Sequence, residues 1–240
     1  MSTLEQDPTS PVWCIVVAGG SGRRWGGHKQ FESLCGARVI DRSVAVAAAV
    51  CDGVVAVVPA DDAGSPVTTV SGADHVVVGG VTRSGSVRAG LSVVPENAAV
   101  VLVHDAARPL APVGVFERVV AAVRSGADAV VPVVAVVDTI RRVGAGVVDR
   151  DELRAVQTPQ GFRAEALRAV HRDAPEASDD AGLVEAAGGN VVLVEGDRVN
   201  LKLTDPIDRI VAEALLGESD GLAARDGLAD APPDTGDSLR

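Results

Sequence analysis

The residues best suited to chemistry lie in one run near the N-terminus, Cys14-Ile15-Val16-Val17-Ala18-Gly19-Gly20-Ser21-Gly22-Arg23-Arg24-Trp25-Gly26-Gly27-His28-Lys29-Gln30. An apolar strand ends in small residues, and Gly19, Gly20, Ser21 and Gly22 then let successive backbone N–H groups turn toward one point. Arg23, Arg24 and Lys29 add positive charge there, so the loop is suited to gripping a polyphosphate. Neither common phosphate motif fits. A P-loop needs Lys-Ser or Lys-Thr directly after its last glycine, where this chain has His28-Lys29-Gln30, and a dinucleotide fingerprint begun at Gly20 meets Trp25 in place of its third glycine. Of the 22 basic residues only Lys29 and Lys202 are lysines, in a composition of the kind GC-rich coding produces. A lysine retained in such a chain is expected where a compact ammonium must fit between phosphate oxygens as a point charge, with chance survival on a solvated surface as the alternative.

A second constellation closes another strand, Val101-Leu102-Val103-His104-Asp105-Ala106-Ala107-Arg108-Pro109. The carboxyl ends of strands in open α/β sheets face the ligand crevice, which places Asp105 to hold a hard divalent cation such as Mg²⁺. A helix cap or an ion pair with Arg108 are the alternatives for it. His104 points to the other side of the strand and reads as structural. Gly79-Gly80-Val81-Thr82-Arg83-Ser84-Gly85-Ser86 opens a helix, offering backbone and hydroxyl groups to a base or ribose, or simply a cap at Thr82 or Ser84. Arg154 to Phe162 and Asn200 to Pro206 are polar islands in apolar context, with Asp205 and Asp208 read as caps of a helix that starts near Pro206. There is no GxSxG elbow, HExxH or CxxC pattern, so hydrolytic and zinc chemistry have no support. Nucleotidyl transfer to a phosphate monoester fits that lack, because a dianionic phosphate is already a nucleophile and needs no general base.

The elements that must position these groups follow a βαβα rhythm. Val54 to Val58, Val76 to Val78, Val100 to Val103 and Ala129 to Val134 are short β-branched runs of the buried, parallel kind. Asp41 to Val50, Ser84 to Val93, Val113 to Val123 and Ala164 to Val170 carry helical spacing. The expected fold is a mostly parallel, doubly wound α/β sheet in one domain over residues 12–217, with mobile polar tails at 1–11 and 218–240. Residues 136–158 break the rhythm with two polar-apolar strands around Gly144-Ala145-Gly146, a protruding hairpin that packs against a second subunit, acts as a lid, or is a surface excursion. A net charge of −11 and very few aromatics exclude a nucleic-acid surface. Cys14, Cys35 and Cys51 suit free thiols of a reducing cytosol. No apolar run approaches the roughly 20 residues a bilayer needs, and the expectation is a soluble, cytoplasmic protein without a membrane partner.

Taken in order, AGGSGRRW with Lys29-Gln30, GGVTRSGSV, VHDAARP, VVDTIRRV, VDRDELRAVQTPQGF and NLKLTDP resemble the 2-C-methyl-D-erythritol 4-phosphate cytidylyltransferase family over about residues 12 to 216. The resemblance implies a Rossmann-like nucleotidyltransferase fold with an arm exchanged in a homodimer. It further implies that CTP and methylerythritol phosphate react to give CDP-methylerythritol and pyrophosphate with Mg²⁺, in non-mevalonate isoprenoid synthesis. By position, Arg24 and Lys29 resemble the pair that stabilises charge at the α-phosphate, while Arg150 on the arm and Lys202 resemble the residues that position the acceptor phosphate. Asp105 and Thr139 resemble substrate or metal contacts, and Ala18, Gly19, Gly20, Gly80, Ser86 and Ala106 the CTP pocket, with Ser21, Gly22, Arg23 and Arg83 beside them. The chain departs from the family at His28, at Val81, and at Ala177-Ser178-Asp179-Asp180-Ala181, which leaves no dependable substrate contact at Ser178. Ribitol 5-phosphate as acceptor, and a catalytically silent CTP-binding regulator, are the competing readings.

Overall fold

The computed structural model describes residues 10–19, 29–60, 69–173 and 176–229. In chain order the strands are β1 (Val12–Val17), β2 (Ser33–Leu34), β3 (Ala37–Arg38), β4 (Gly53–Val58), β5 (His75–Val78), β6 (Val100–Asp105), β7 (Ala129–Ala135), β8 (Ile140–Arg142), β9 (Gly146–Val148), β10 (Arg154–Val156), β11 (Gln160–Arg163) and β12 (Val191–Glu195). The helices are α1 (Val39–Ala48), α2 (Arg83–Leu91), α3 (Val113–Arg124), α4 (Ala164–His171), α5 (Asp180–Ala186) and α6 (Pro206–Ala229). Eight strands form the central sheet in the order β10-β7-β11-β6-β1-β4-β5, with β12 also pairing β7. Pairings around β1, between β4 and β5 and between β12 and β7 are parallel; β11 runs antiparallel between β6 and β7. This is the mixed, mostly parallel α/β architecture expected from the sequence.

The period of two along each strand splits the core into two layers. Cys14, Val16, Val54, Ala56, Val100 and Leu102 point to one face, where Ile40 and Val44 of α1 and Phe116 and Val119 of α3 cover them. Ile15, Val55, Val57, Val101 and Val103 point to the other, under Val87 of α2, Leu167 of α4 and Val184 of α5. All six residues of β4 are buried, as a strand covered on both faces requires. Helix α2 has few large apolar residues and gains its contact by close approach instead: a Cβ on Gly90 would stand 2.5 Å from Ile15 Cγ2. Its start is fixed by Thr82, whose side chain accepts from the Gly85 N–H, so capping is what that hydroxyl does.

The stretch read as a hairpin holds β8 and β9, paired antiparallel from Ile140↔Val148 to Arg142↔Gly146. Its end differs from the expectation. Arg154 to Val156 return to the main sheet as β10, against Val133 to Ala135, because Arg154-Ala155-Val156 still has unpaired backbone groups to satisfy beside the edge of β7. Helix α6 begins where expected: Asp208 Oδ2 accepts from the N–H groups of Thr204 and Asp205, one half of a capping box. The helix continues to Ala229, into the stretch read as a tail from 218. At the other end, the Pro11 carbonyl accepts from the Ala99 N–H, so the last residue of the N-terminal stretch is tied to the fold.

Candidate active site

A cavity of about 190 Å³ opens at the carboxyl ends of β1 and β6, and Ala18, Lys29, Arg83, Asp105, Ala106 and Lys202 line it together with Gly19. These come from distant points of the sequence. Backbone bonds from Ala18 N–H to the Val57 carbonyl and from Ala106 N–H to the Val17 carbonyl hold the two strand ends level. Gln30, buried, donates from Nε2 to the Ala18 carbonyl at 2.8 Å, which fixes the entry to the helical turn carrying Lys29. The Leu203 N–H donates to the Ala107 carbonyl at 2.8 Å, and Lys29 Nζ donates to the Leu203 carbonyl, so both rare lysines meet at one wall.

Asp105 and Lys202 form an ion pair, Nζ to Oδ2 at 2.7 Å. The pairing expected as an alternative, with Arg108, is absent; Arg108 is buried and instead donates to the carbonyls of Asn200 and Val156 at 2.7 and 3.3 Å. Burial alone would raise the Asp105 carboxyl; the Lys202 ammonium, with Arg83 and Arg108 behind it, outweighs burial and holds it below the usual carboxylate range. The group is therefore a carboxylate at neutral pH, available as a hard oxygen ligand. His104 does lie on the other side of the strand, fully buried against Phe116 at a ring separation of 5.1 Å. Burial, reinforced by Arg108, lowers its pKa to about 4, so it is neutral.

A chain of hydrogen bonds follows from that neutral ring. The Asp105 N–H donates to Thr158 Oγ1 at 3.0 Å, the hydroxyl stands 3.0 Å from His104 Nδ1, and His104 Nε2 lies 3.3 Å from the Arg108 carbonyl. With Nε2 protonated every member has a complementary partner. Gln157 and Asn200 extend the network: Asn200 Nδ2 donates to the Thr158 carbonyl at 2.9 Å and to Gln157 Oε1 at 3.2 Å. Sequence reasoning marked both segments as polar islands without assigning Thr158, Gln157 or Asn200. The available signal was that these polar residues sit in apolar runs, where buried polar groups must pair with one another.

Of the other expected site residues, Ser86 and Gly80 stand behind the cavity wall. The Ser86 hydroxyl donates to the Thr82 carbonyl at 3.0 Å, with the Gly80 carbonyl also in reach at 3.3 Å, and is 3.0 Å from where a Cβ on Gly19 would be. Gly80 has no room for a side chain, since its Cβ would lie 2.7 Å from the Gly85 carbonyl carbon. Thr139 and Arg150 are brought together on the arm, in a separate recess with Asp149, and do not line the cavity. Gly20, Ser21, Gly22, Arg23 and Arg24 lie outside the described residues. The described residues contain no group of three or more carboxylate, His or Cys ligands for a metal. Asp105 is the single carboxylate among the described residues lining the cavity, a donor set that fits a divalent cation held chiefly by phosphate oxygens of a bound nucleotide. No helix among the described residues is long and apolar enough to cross a membrane.

The chain is similar to proteins of one family. Residues 12–218 match the family 2-C-methyl-D-erythritol 4-phosphate cytidylyltransferase. A protein of that name from Rhodococcus opacus (strain B4) is 45% identical over 218 residues, covering 87% of this chain and 96% of the relative. Its counterpart from Rhodococcus jostii (strain RHA1) is 45% identical over 222 residues, covering 88% and 98%. The crystal structure of the enzyme of that name from Thermus thermophilus superposes with a TM-score of 0.71 at 36% identity, covering 86% of this chain and 98% of that one.

Proposed function

The chain belongs to the 2-C-methyl-D-erythritol 4-phosphate cytidylyltransferase family, and from that premise we propose how its residues carry the reaction. The protein is a nucleotidyltransferase that moves the cytidylyl group of CTP onto 2-C-methyl-D-erythritol 4-phosphate in isoprenoid biosynthesis. An oxygen of the acceptor phosphate attacks the α-phosphorus of CTP; that P–O bond forms as the bond to the oxygen leading to the β-phosphorus breaks, and pyrophosphate leaves with the electron pair. The observation that carries the residue assignments is the convergence of Lys29, Arg83 and Lys202 with Asp105 on one cavity.

The acceptor phosphate is already charged, so the site needs positioning and charge stabilisation, not a general base. Lys29, with Arg24 from the glycine-rich loop, stabilises the charge that grows on the α-phosphoryl oxygens and the leaving pyrophosphate. Lys202 holds the acceptor phosphate, and its ion pair with Asp105 keeps the ammonium aimed into the cavity before substrate arrives. Ala18, Gly19, Gly20, Ser21, Gly22, Arg23, Arg83 and Ala106 take the nucleotide, with Gly80 and Ser86 shaping the wall behind Gly19. Asp105 would be the protein ligand of a divalent cation such as Mg²⁺, which would supply charge neutralisation on the CTP phosphates when bound.

Thr139 and Arg150 face a recess of their own on the arm, which supports a homodimer in which each arm supplies these two residues to the cavity of the other protomer. Its three free cysteines fit a reducing compartment, and we place the protein in the cytoplasm. The test is pyrophosphate release from CTP and Mg²⁺ with methylerythritol phosphate, ribitol phosphate or no acceptor. Release with methylerythritol phosphate alone is expected; preference for ribitol phosphate, or no release with either, overturns the assignment.

A further inference from the structure

Behind Arg83 lies a buried polar relay that the reaction above does not use. Arg83 opens α2 and lines the cavity, and its Nη1 donates to Asp180 Oδ2 at 2.7 Å. Asp180 is the first residue of α5, and its side chain is fully buried. Its second oxygen, Oδ1, stands 2.9 Å from Nε2 of His171, the last residue of α4. Burial alone would raise the Asp180 carboxyl; the bond from His171 and the charge of Arg83 outweigh it and hold the group below the usual carboxylate range. Among the described residues each oxygen of this buried carboxylate therefore has one side-chain partner, and the two come from different helices.

His171 is 5% exposed, and among the described residues its Nδ1 is buried without a hydrogen-bond partner. Burying an imidazole with one nitrogen unpaired costs free energy that a leucine of similar size would not. What a leucine cannot do is donate to Asp180. A carboxylate held at one oxygen cannot turn about its Cβ–Cγ bond without breaking that hold, so the His171 bond fixes the plane on which Arg83 is anchored. Among the described residues Nη1 is the only Arg83 nitrogen with a hydrogen bond, which leaves the rest of the guanidinium at the cavity, close enough to act on Asp105 across it.

We propose that His171 is a positioning residue for nucleotide binding, acting through Asp180 to aim Arg83 into the cavity. The inference rests on the cavity being the CTP site. Calorimetric titration with CTP separates the two. His171→Leu removes the donor; the dissociation constant is expected to rise roughly tenfold, the loss of one well-aimed charge-assisted contact. His171→Gln, whose amide nitrogen reaches toward Asp180, is expected to stay within about twofold of the native protein. In an Arg83→Met background the His171→Leu effect should vanish, which a purely structural role would not produce.

Native affinity in His171→Leu, equal weakening in the Leu and Gln variants, or an undiminished effect in the Arg83→Met background would each overturn the proposal. If His171→Leu does not fold, His171→Asn, whose shorter amide falls short of Asp180, replaces it with the same expectations. A native protein that binds no CTP overturns the cavity reading and the inference together; one that binds CTP but releases no pyrophosphate overturns only the assigned reaction.

Discussion

Thr158→Val tests the bond chain beneath the cavity most directly, because valine keeps the shape of threonine and removes only the hydroxyl. Two groups lose their partner at once: the Asp105 N–H, which donates to Oγ1 at 3.0 Å, and His104 Nδ1, 3.0 Å from the same oxygen. Thr158 is 6% exposed and His104 fully buried, so water does not readily replace what is lost. A buried polar group stranded in this way costs about 1–3 kcal/mol, and two of them sharing one site about 2–4 kcal/mol. In a domain of this size each kcal/mol lowers the melting temperature by about 2–4 °C, so calorimetry should show a fall of roughly 5–15 °C. Thr158→Ser keeps the hydroxyl and should recover most of it. Pyrophosphate release should fall too, since the Asp105 backbone is anchored by this bond. A Thr158→Val protein that melts within about 2 °C of the native one would refute the idea that these hydrogen bonds hold the cavity floor.

Lys29→Ala and Lys202→Ala should each lower turnover by about 10²–10³-fold, the range for removing one charge-stabilising donor, with melting temperature little changed; near-native rates would remove their assigned roles. His104 makes stability depend on pH in a predictable direction: its folded pKa of about 4 lies below the unfolded value near 6.5, so the unfolded state binds more protons between them. Its contribution is fully present above pH 6.5 and is lost as pH falls toward 4. Urea unfolding at pH 7.5 and 5 should differ by about 2 kcal/mol more in the native protein than in His104→Gln. Gly90→Ala places a methyl 2.5 Å from Ile15 Cγ2 and should destabilise by about 1–3 kcal/mol in the same assay. Light scattering should give twice the chain mass of 24.4 kDa; a monomer at micromolar concentration would remove the shared-site role of Arg150.

The strands that position the site were legible because their β-branched runs coincide with burial on both faces: β4, β6 and β7 fall on the runs at Val54, Val100 and Ala129. Helices α1 to α4 are likewise where their spacing puts them, with ends shifted by a residue or two. β11 was not legible, being four residues beginning Gln160-Gly161, without a β-branched run; its place between β6 and β7 is set by tertiary pairing. β12 carries the β-branched signature in Val191-Val192-Leu193-Val194, a signal the reading leaves unused. At the site, the basic loop, the scarcity of lysine and the end of a strand named Lys29, Lys202 and Asp105, each with a chemical reason to be there, while Arg83 came in only with the family resemblance. Thr158, Asn200 and His171 act by holding other protein groups, and a pairing such as Asn200 with Thr158, 42 residues apart, leaves no local trace.

The arm is mechanically a cantilever. It leaves the sheet from the end of β7 and returns through β10, which lies back against that same strand, so the stem is a continuation of the sheet rather than a loose loop. β7 is in turn clamped by β11 and β12. A load at the tip near Gly144 is therefore carried into the sheet, and through Gln157 and Thr158 at the root it reaches the backbone of Asp105. Were the tip to seat on a second copy of the chain, as proposed above, the same beam would carry that contact to the floor of the chain's own cavity.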